Sequence, residues 1–157
     1  MKKIKVIGCG SLLMGDDAAG CIVARKLQEI DLPEHVEVLE AGTPGLNLLS
    51  LMEPGERVII VDAVFTGSEP GTIEIFSEDQ IPKPERMPFS AHQIAIPETI
   101  ALGKIVEPES MPDSIEIWGI EVKIPVEFRF EISEPIKEAV DKVVEKLKVE
   151  LGAKVKT

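Results

Sequence analysis

Residues 4-IKVIGCGSLLMGDDAAG-20 decide the fold class. A short apolar run, 4-IKVIG-8, enters a turn with Gly8, Gly10 and Gly15, and a helical pattern leaves it, with Ile22, Val23, Leu27 and Ile30 on one stripe. Strand, glycine turn and helix in that order form the opening unit of an α/β sheet. Such turns usually hold phosphate, because a helix N-terminus presents free N–H groups and a positive dipole end. This turn closes instead on two adjacent carboxylates, Asp16 and Asp17.

The phosphate reading fails on the letters and on the charge. Leu13 stands where the third glycine of G-x-G-x-x-G is needed, and Gly15 is followed by Asp-Asp rather than Lys-Ser/Thr. Two carboxylates at the head of a helix fill the anion site with the protein's own negative charge. A structural role, helix cap or dipole partner, covers either aspartate alone. A functional role places one of the two in the crevice at the carboxyl end of the first strand, where open α/β sheets bind ligands.

The rest of the chain repeats the alternation. A strand is expected at about 3–8, a helix from about Asp17 to Ile30, a second strand at 35-HVEVLE-40, and a turn with a short helix at 42-GTPGLNLLSLM-52. The run 58-VIIVDAV-64 is apolar on both faces until Asp62, as in a central strand covered on two sides. The alternating 71-GTIEIFS-77 reads as a half-exposed, antiparallel addition. Pro82, Pro84 and Pro88 mark 78–91 as the long loop. A helix from about Pro97 to Val106, strands at 115-IEIWGIEV-122 and 126-VEFRFEI-132, and a last helix follow. Ser133 is the N-cap of that helix, which buries Ile136, Val140, Val143, Val144, Leu147 and Leu151. The expectation is one three-layer α/β/α domain over 1–157, around a twisted, mostly parallel sheet that includes an antiparallel strand.

Composition narrows the function. The chain has 157 residues, 44% hydrophobic and 29% charged, with a net charge of -11, which argues against nucleic acid and anionic membranes as partners. No stretch approaches the length of a membrane span, and Lys2, Lys3 and Lys5 precede a run too broken by glycine for a secretory signal, so the chain reads as cytoplasmic. The two cysteines, Cys9 and Cys21, read as buried thiols rather than as a disulfide.

Two more candidates join the Asp pair. Asp62 ends a buried strand, where a carboxylate is costly unless it meets a partner, a cation or water; the structural alternative is a strand-end turn former. His92 closes the proline-rich loop in 89-FSAHQ-93, whereas His35 opens a strand beside Glu34 and reads as a surface residue. Aspartate and histidine together suit a borderline divalent ion such as nickel or zinc.

The three blocks 8-GCGSLLMGDDAAG-20, 58-VIIVDAV-64 and 90-SAHQ-93, in this order and spacing, resemble the hydrogenase maturation endopeptidases. The resemblance implies an enzyme that removes the C-terminal extension of a nickel-iron hydrogenase large-subunit precursor once nickel is in place. It implies that Asp17, Asp62 and His92 are the catalytic and metal-binding residues. The nickel is then supplied by the precursor, with no tightly held cofactor of the protein's own. The partner is the nickel-loaded precursor, and the chain acts as a monomer. Asp16 is then the capping or loop-fixing member of the pair. Ser11 departs from the asparagine common in this family, and Asp17 stands where glutamate is often found. Hydrolysis could be metal-assisted or could use a carboxylate as general base; neither Cys9 nor a serine carries the marks of a nucleophile. Rival readings are a non-catalytic nickel-handling accessory protein, a nucleotide- or flavin-binding module, and a peptidase of related fold with another substrate.

Overall fold

The computed structural model of the chain describes residues 1–80, 96–123 and 131–153. Among these residues five strands make one sheet: β1 (Ile4–Cys9), β2 (Val36–Gly42), β3 (Arg57–Val64), β4 (Ile73–Ser77) and β5 (Ser114–Glu121), in the order β2-β1-β3-β5-β4. The β1–β2, β1–β3 and β3–β5 pairs are parallel and β4 runs antiparallel to β5. The alternation of apolar and acidic residues in 71–77 thus marked the antiparallel edge correctly. The second late strand, expected at 126–132, lies outside the described residues except for its last two, which are not in a strand.

Alternate residues of the central strand feed two cores. Ile59, Val61 and Ala63 face the side covered by α1 (Ala19–Gln28) and α4 (Glu134–Leu151). Val58 and Ile60 face the side covered by α2 (Leu48–Leu51) and α3 (Ile96–Val106), with Leu48 and Ile100 packed on them. Period two along β3 therefore builds the three layers. All six residues expected on the buried stripe of α4 are buried, and Ala139 joins them. Each large aliphatic side chain removed from water in this way stabilises the fold by about 1.5–3 kcal/mol.

Three glycines let the opening unit close. A Cβ on Gly8 would lie 2.3 Å from the Gly20 carbonyl oxygen, and one on Gly20 would lie 2.1 Å from that of Val61 and 2.4 Å from that of Cys9. Helix α1 therefore seats directly on β1 and β3 through backbone. Gly10 has φ +133°, and a Cβ there would meet the Asp17 carbonyl oxygen at 1.9 Å, so only glycine lets the turn fold back over itself. Because β1 leads away to β2 and β3 leads away to the other side, the sheet reverses direction between β1 and β3. Their carboxyl ends open the crevice that such a switch point leaves.

Candidate functional site

The crevice is framed by the turn after β1 and by the end of β3. Gly8 pairs with Val61, so the next residues, Cys9 and Asp62, stand side by side where β1 ends, while β3 runs on beside β5 to Val64. Asp62 continues the face of Val58 and Ile60, the one covered by α2 and α3. Its opposite neighbour on β5 is Gly119, which adds no side chain beside it. A Cβ on Gly119 would press on the Val64 methyl groups at 2.7 and 2.9 Å.

The helix after the turn starts later than the sequence pattern indicates. Residues Gly15–Ala18 form a tight 3-10 turn and the α-helix begins at Ala19. The Asp17 N–H donates to the Met14 carbonyl at 3.1 Å, and the Asp17 carboxylate accepts the Ser11 N–H at 2.9 Å. The amide that a phosphate would use in such a turn is thus occupied by the protein's own carboxylate. Ser11 holds its own turn, its Oγ accepting the Leu13 N–H at 3.3 Å.

Asp16 caps neither of these helices; the residues preceding them, Met14 and Ala18, make no side-chain cap bond. Asp16 reaches instead to the far end of the chain. Its Oδ1 accepts the Ser133 N–H at 2.7 Å and its Oδ2 accepts the Ser133 hydroxyl at 2.8 Å. Ser133 does have the extended backbone of an N-cap to α4, but its hydroxyl serves Asp16 rather than its own helix. Of the two roles open to Asp16, loop fixing is the one observed. No local sequence signal pairs residues 117 positions apart.

Asp17 and Asp62 are both half-buried and both hold protons more tightly than ordinary carboxylates. For Asp62 burial is the larger cause and the Asp17 charge the second; together they outweigh the hydrogen bond from the Ala63 N–H (2.9 Å) and push its pKa up to about 8. For Asp17 burial raises the pKa and the Ser11 N–H opposes it. With its pKa near 8, the Asp62 carboxyl keeps its proton at neutral pH, and the like charge of Asp17 is part of the reason.

Cys9 lies on the floor beside them and is buried. Burial first, then the charges of Asp62, Cys21 and Asp17, push its thiol well up, so it stays protonated and is a poor nucleophile. Cys21 is buried too, its Sγ 3.2 Å from the Gly10 carbonyl oxygen, and its pKa is raised by burial to about 11. Both thiols are free, as the sequence led us to expect. His35 sits at the opposite end of the strands, its carbonyl accepting the Ile4 N–H at the start of β1, and takes no part in the crevice.

His92, the third residue of the expected ligand set, lies outside the described residues, in the segment 81–95 that joins β4 to α3. Among the described residues no group of three or more histidine, cysteine, aspartate or glutamate side chains is arranged to hold a metal. Two carboxylates alone make an incomplete site.

Comparison with known proteins gives this crevice its context. The sequence model of the hydrogenase maturation proteases matches residues 21–150, more than four-fifths of the chain. The chain belongs to the hydrogenase maturation protease family. The matched span contains Asp62 and His92 and begins just after the 8–20 turn. Among relatives of this maturation protease, a Methanocaldococcus jannaschii protein provisionally named a hydrogenase maturation protease is 32% identical over 92% of this chain and 93% of its own length. The hydrogenase expression/formation protein HupD of Bradyrhizobium diazoefficiens is 30% identical over 79% of this chain and 70% of its own. Among solved structures, the [NiFe] hydrogenase maturation protease HybD from Thermococcus kodakarensis superposes with a TM-score of 0.71 at 25% identity, covering 95% of this chain and 99% of that one. The hydrogenase maturating endopeptidase HybD from E. coli has a TM-score of 0.78 at 24% identity over 96% and 92% of the two chains, a likeness of fold. Maturation proteases of this family are peptide-bond hydrolases, and the three-layer architecture is theirs. No helix among the described residues is long and apolar enough to cross a membrane.

Proposed function

We propose that this maturation protease removes the C-terminal extension of a nickel-iron hydrogenase large-subunit precursor after nickel insertion, in the cytoplasm and as a monomer. The nickel arrives with the substrate, and Asp17, Asp62 and His92 recognise it as added ligands. The observation that carries this reading is the pair Asp17 and Asp62 at the switch point of the sheet, with no cation among the described residues lowering either pKa. A carboxylate pair held by one backbone N–H each and by no cation is costly in a crevice and favourable once a divalent cation is delivered to it.

The chain's own part in the reaction follows from this geometry. The carboxylates orient the metal-bearing centre, and Asp62, with a pKa close to neutral, gives up its proton as the cation arrives. A metal at this position supplies Lewis-acid polarisation of a carbonyl or activation of water. The same carboxylate pair, once ionised, can take a proton from water as a general base. The protonated, buried Cys9 offers no competing covalent route.

Processing of purified nickel-loaded precursor tests the assignment. Asp17→Ala, Asp62→Ala and His92→Ala should each abolish or strongly reduce removal of the C-terminal peptide while circular dichroism shows a folded chain. Full activity in the Asp17 and Asp62 variants would remove the basis of the proposal. Absence of cleavage by the wild-type protein, with nickel transfer intact, would favour the accessory-protein reading instead.

A further inference from the structure

We propose that Asp16 is a positioning residue for the crevice: by clamping Ser133 at the head of α4, it fixes the turn that presents Asp17. This deepens the functional reading above and rests on it. Both carboxylate oxygens of Asp16 are engaged, one by the Ser133 N–H and one by its hydroxyl, at 2.7 and 2.8 Å. Charge-assisted bonds made in pairs fix direction as well as distance.

What Asp16 is tied to matters as much as the tie. Helix α4 is the longest in the described chain, and Ile136, Val140, Val143 and Leu147 on it are fully buried in the core shared with α1 and β3. Its first turn is therefore a rigid anchor. The tip of the glycine turn is the opposite: Leu13 is 48% exposed, and its neighbours are held by bonds within the turn, such as Met14 N–H to the Ser11 carbonyl at 3.2 Å. Those local bonds set the shape of the turn, and the Asp16 clamp sets where that shape stands relative to the core. Asp17 follows Asp16 in the same 3-10 turn, so any pivot of Asp16 moves Asp17 with it. Displacement of a reacting or metal-orienting group by about 1 Å is enough to lower a rate roughly a hundredfold.

The clamp on Ser133 is made by two hydrogen-bonding atoms, and a carboxamide offers two as well. In Asp16→Asn the remaining oxygen still accepts the Ser133 N–H, and the amide nitrogen can donate to the Ser133 oxygen. In Asp16→Ala both contacts are lost, and in Ser133→Ala the hydroxyl contact alone is lost. Ser133 works through Asp16, so the double variant should be no worse than Asp16→Ala.

The test is processing of nickel-loaded precursor by wild type, Asp16→Ala, Asp16→Asn, Ser133→Ala and the double variant, with Asp17→Ala as a separate arm. Thermal unfolding of each variant confirms that it is folded at the assay temperature. Hydrogen exchange of the amides of residues 11–17 provides a readout that does not depend on cleavage. Asp16→Ala should lower kcat roughly ten- to a hundredfold with KM little changed, and should speed exchange in the turn. Asp16→Asn should restore most of kcat, Ser133→Ala should fall between, and the double variant should match Asp16→Ala. A wild-type kcat in folded Asp16→Ala would overturn the inference, as would Asp16→Asn falling as far as Asp16→Ala. Undiminished processing by Asp17→Ala would overturn the underlying site instead, and the exchange data would still show whether the clamp holds the turn.

Discussion

The carboxylate of Asp17 lies close enough to Asp62 for its charge to add to burial in raising the Asp62 pKa to about 8. One aspartate reaches the crevice from the turn after β1 and the other from the end of β3. Their convergence at the switch point is a property of the sheet order, since β1 and β3 are neighbours although separated in sequence. It leaves the crevice with a carboxyl that keeps its proton at neutral pH.

Stability should report this directly. A carboxyl whose pKa rises from 3.8 to about 8 on folding binds its proton more tightly in the folded state. The stability it contributes is full below about pH 4 and falls steadily as pH rises through the folded value near 8. Asp62→Asn, which does not titrate, removes that slope. Urea unfolding at pH 5 and pH 9 should show wild type losing ground relative to Asp62→Asn at the higher pH. A constant difference between the two proteins would show that Asp62 is not perturbed.

Metal uptake by the free protein should depend on pH in the same window, with the opposite sign. Binding must displace the Asp62 proton, and a ligating histidine must be neutral, with an unperturbed pKa of about 6.5. Nickel affinity should therefore be weak throughout, fall as pH drops below about 8, and fall further through the histidine range. Isothermal titration in two buffers of different ionisation enthalpy would show proton release on binding. Tight, stoichiometric nickel that survives chelation would contradict a metal supplied by the substrate.

The seat of the opening unit makes a prediction of its own. Gly20→Ala places a methyl group against the carbonyl oxygens of Val61 and Cys9, atoms of backbone that cannot rotate away. Overpacking of this kind costs about 1–3 kcal/mol or more. A thermal scan should show a lowered midpoint, and the displaced α1 should reduce processing as well. An unchanged midpoint would mean that α1 does not sit on β1 and β3 as closely as described.

Much of this arrangement was legible in the sequence because it is local. The unbroken apolar run Val58–Val61 and the period near 3.6 in Ile136–Leu151 announce a doubly covered strand and a one-sided helix without reference to partners. The acidic alternation of Ile73–Ser77 likewise marks an edge strand. The start of α1 was not legible, because a 3-10 turn and an α-turn place carboxylates at similar spacing. Nor could the partner of Asp16 be read, since Ser133 is brought to it by the packing of α4 on α1. The type and order of Asp17, Asp62 and His92 stood out in the sequence, whereas the raised pKa of Asp62 depends on burial and on the sheet order that sets β1 beside β3.

Whether nickel in the substrate licenses cleavage can be read from the mass of the large subunit. Precursor large subunit is prepared with and without nickel, incubated with this protein, and weighed by mass spectrometry over time. The account expects loss of the C-terminal peptide from the nickel-loaded form and an intact mass for the nickel-free form. Equal cleavage of both forms would contradict it.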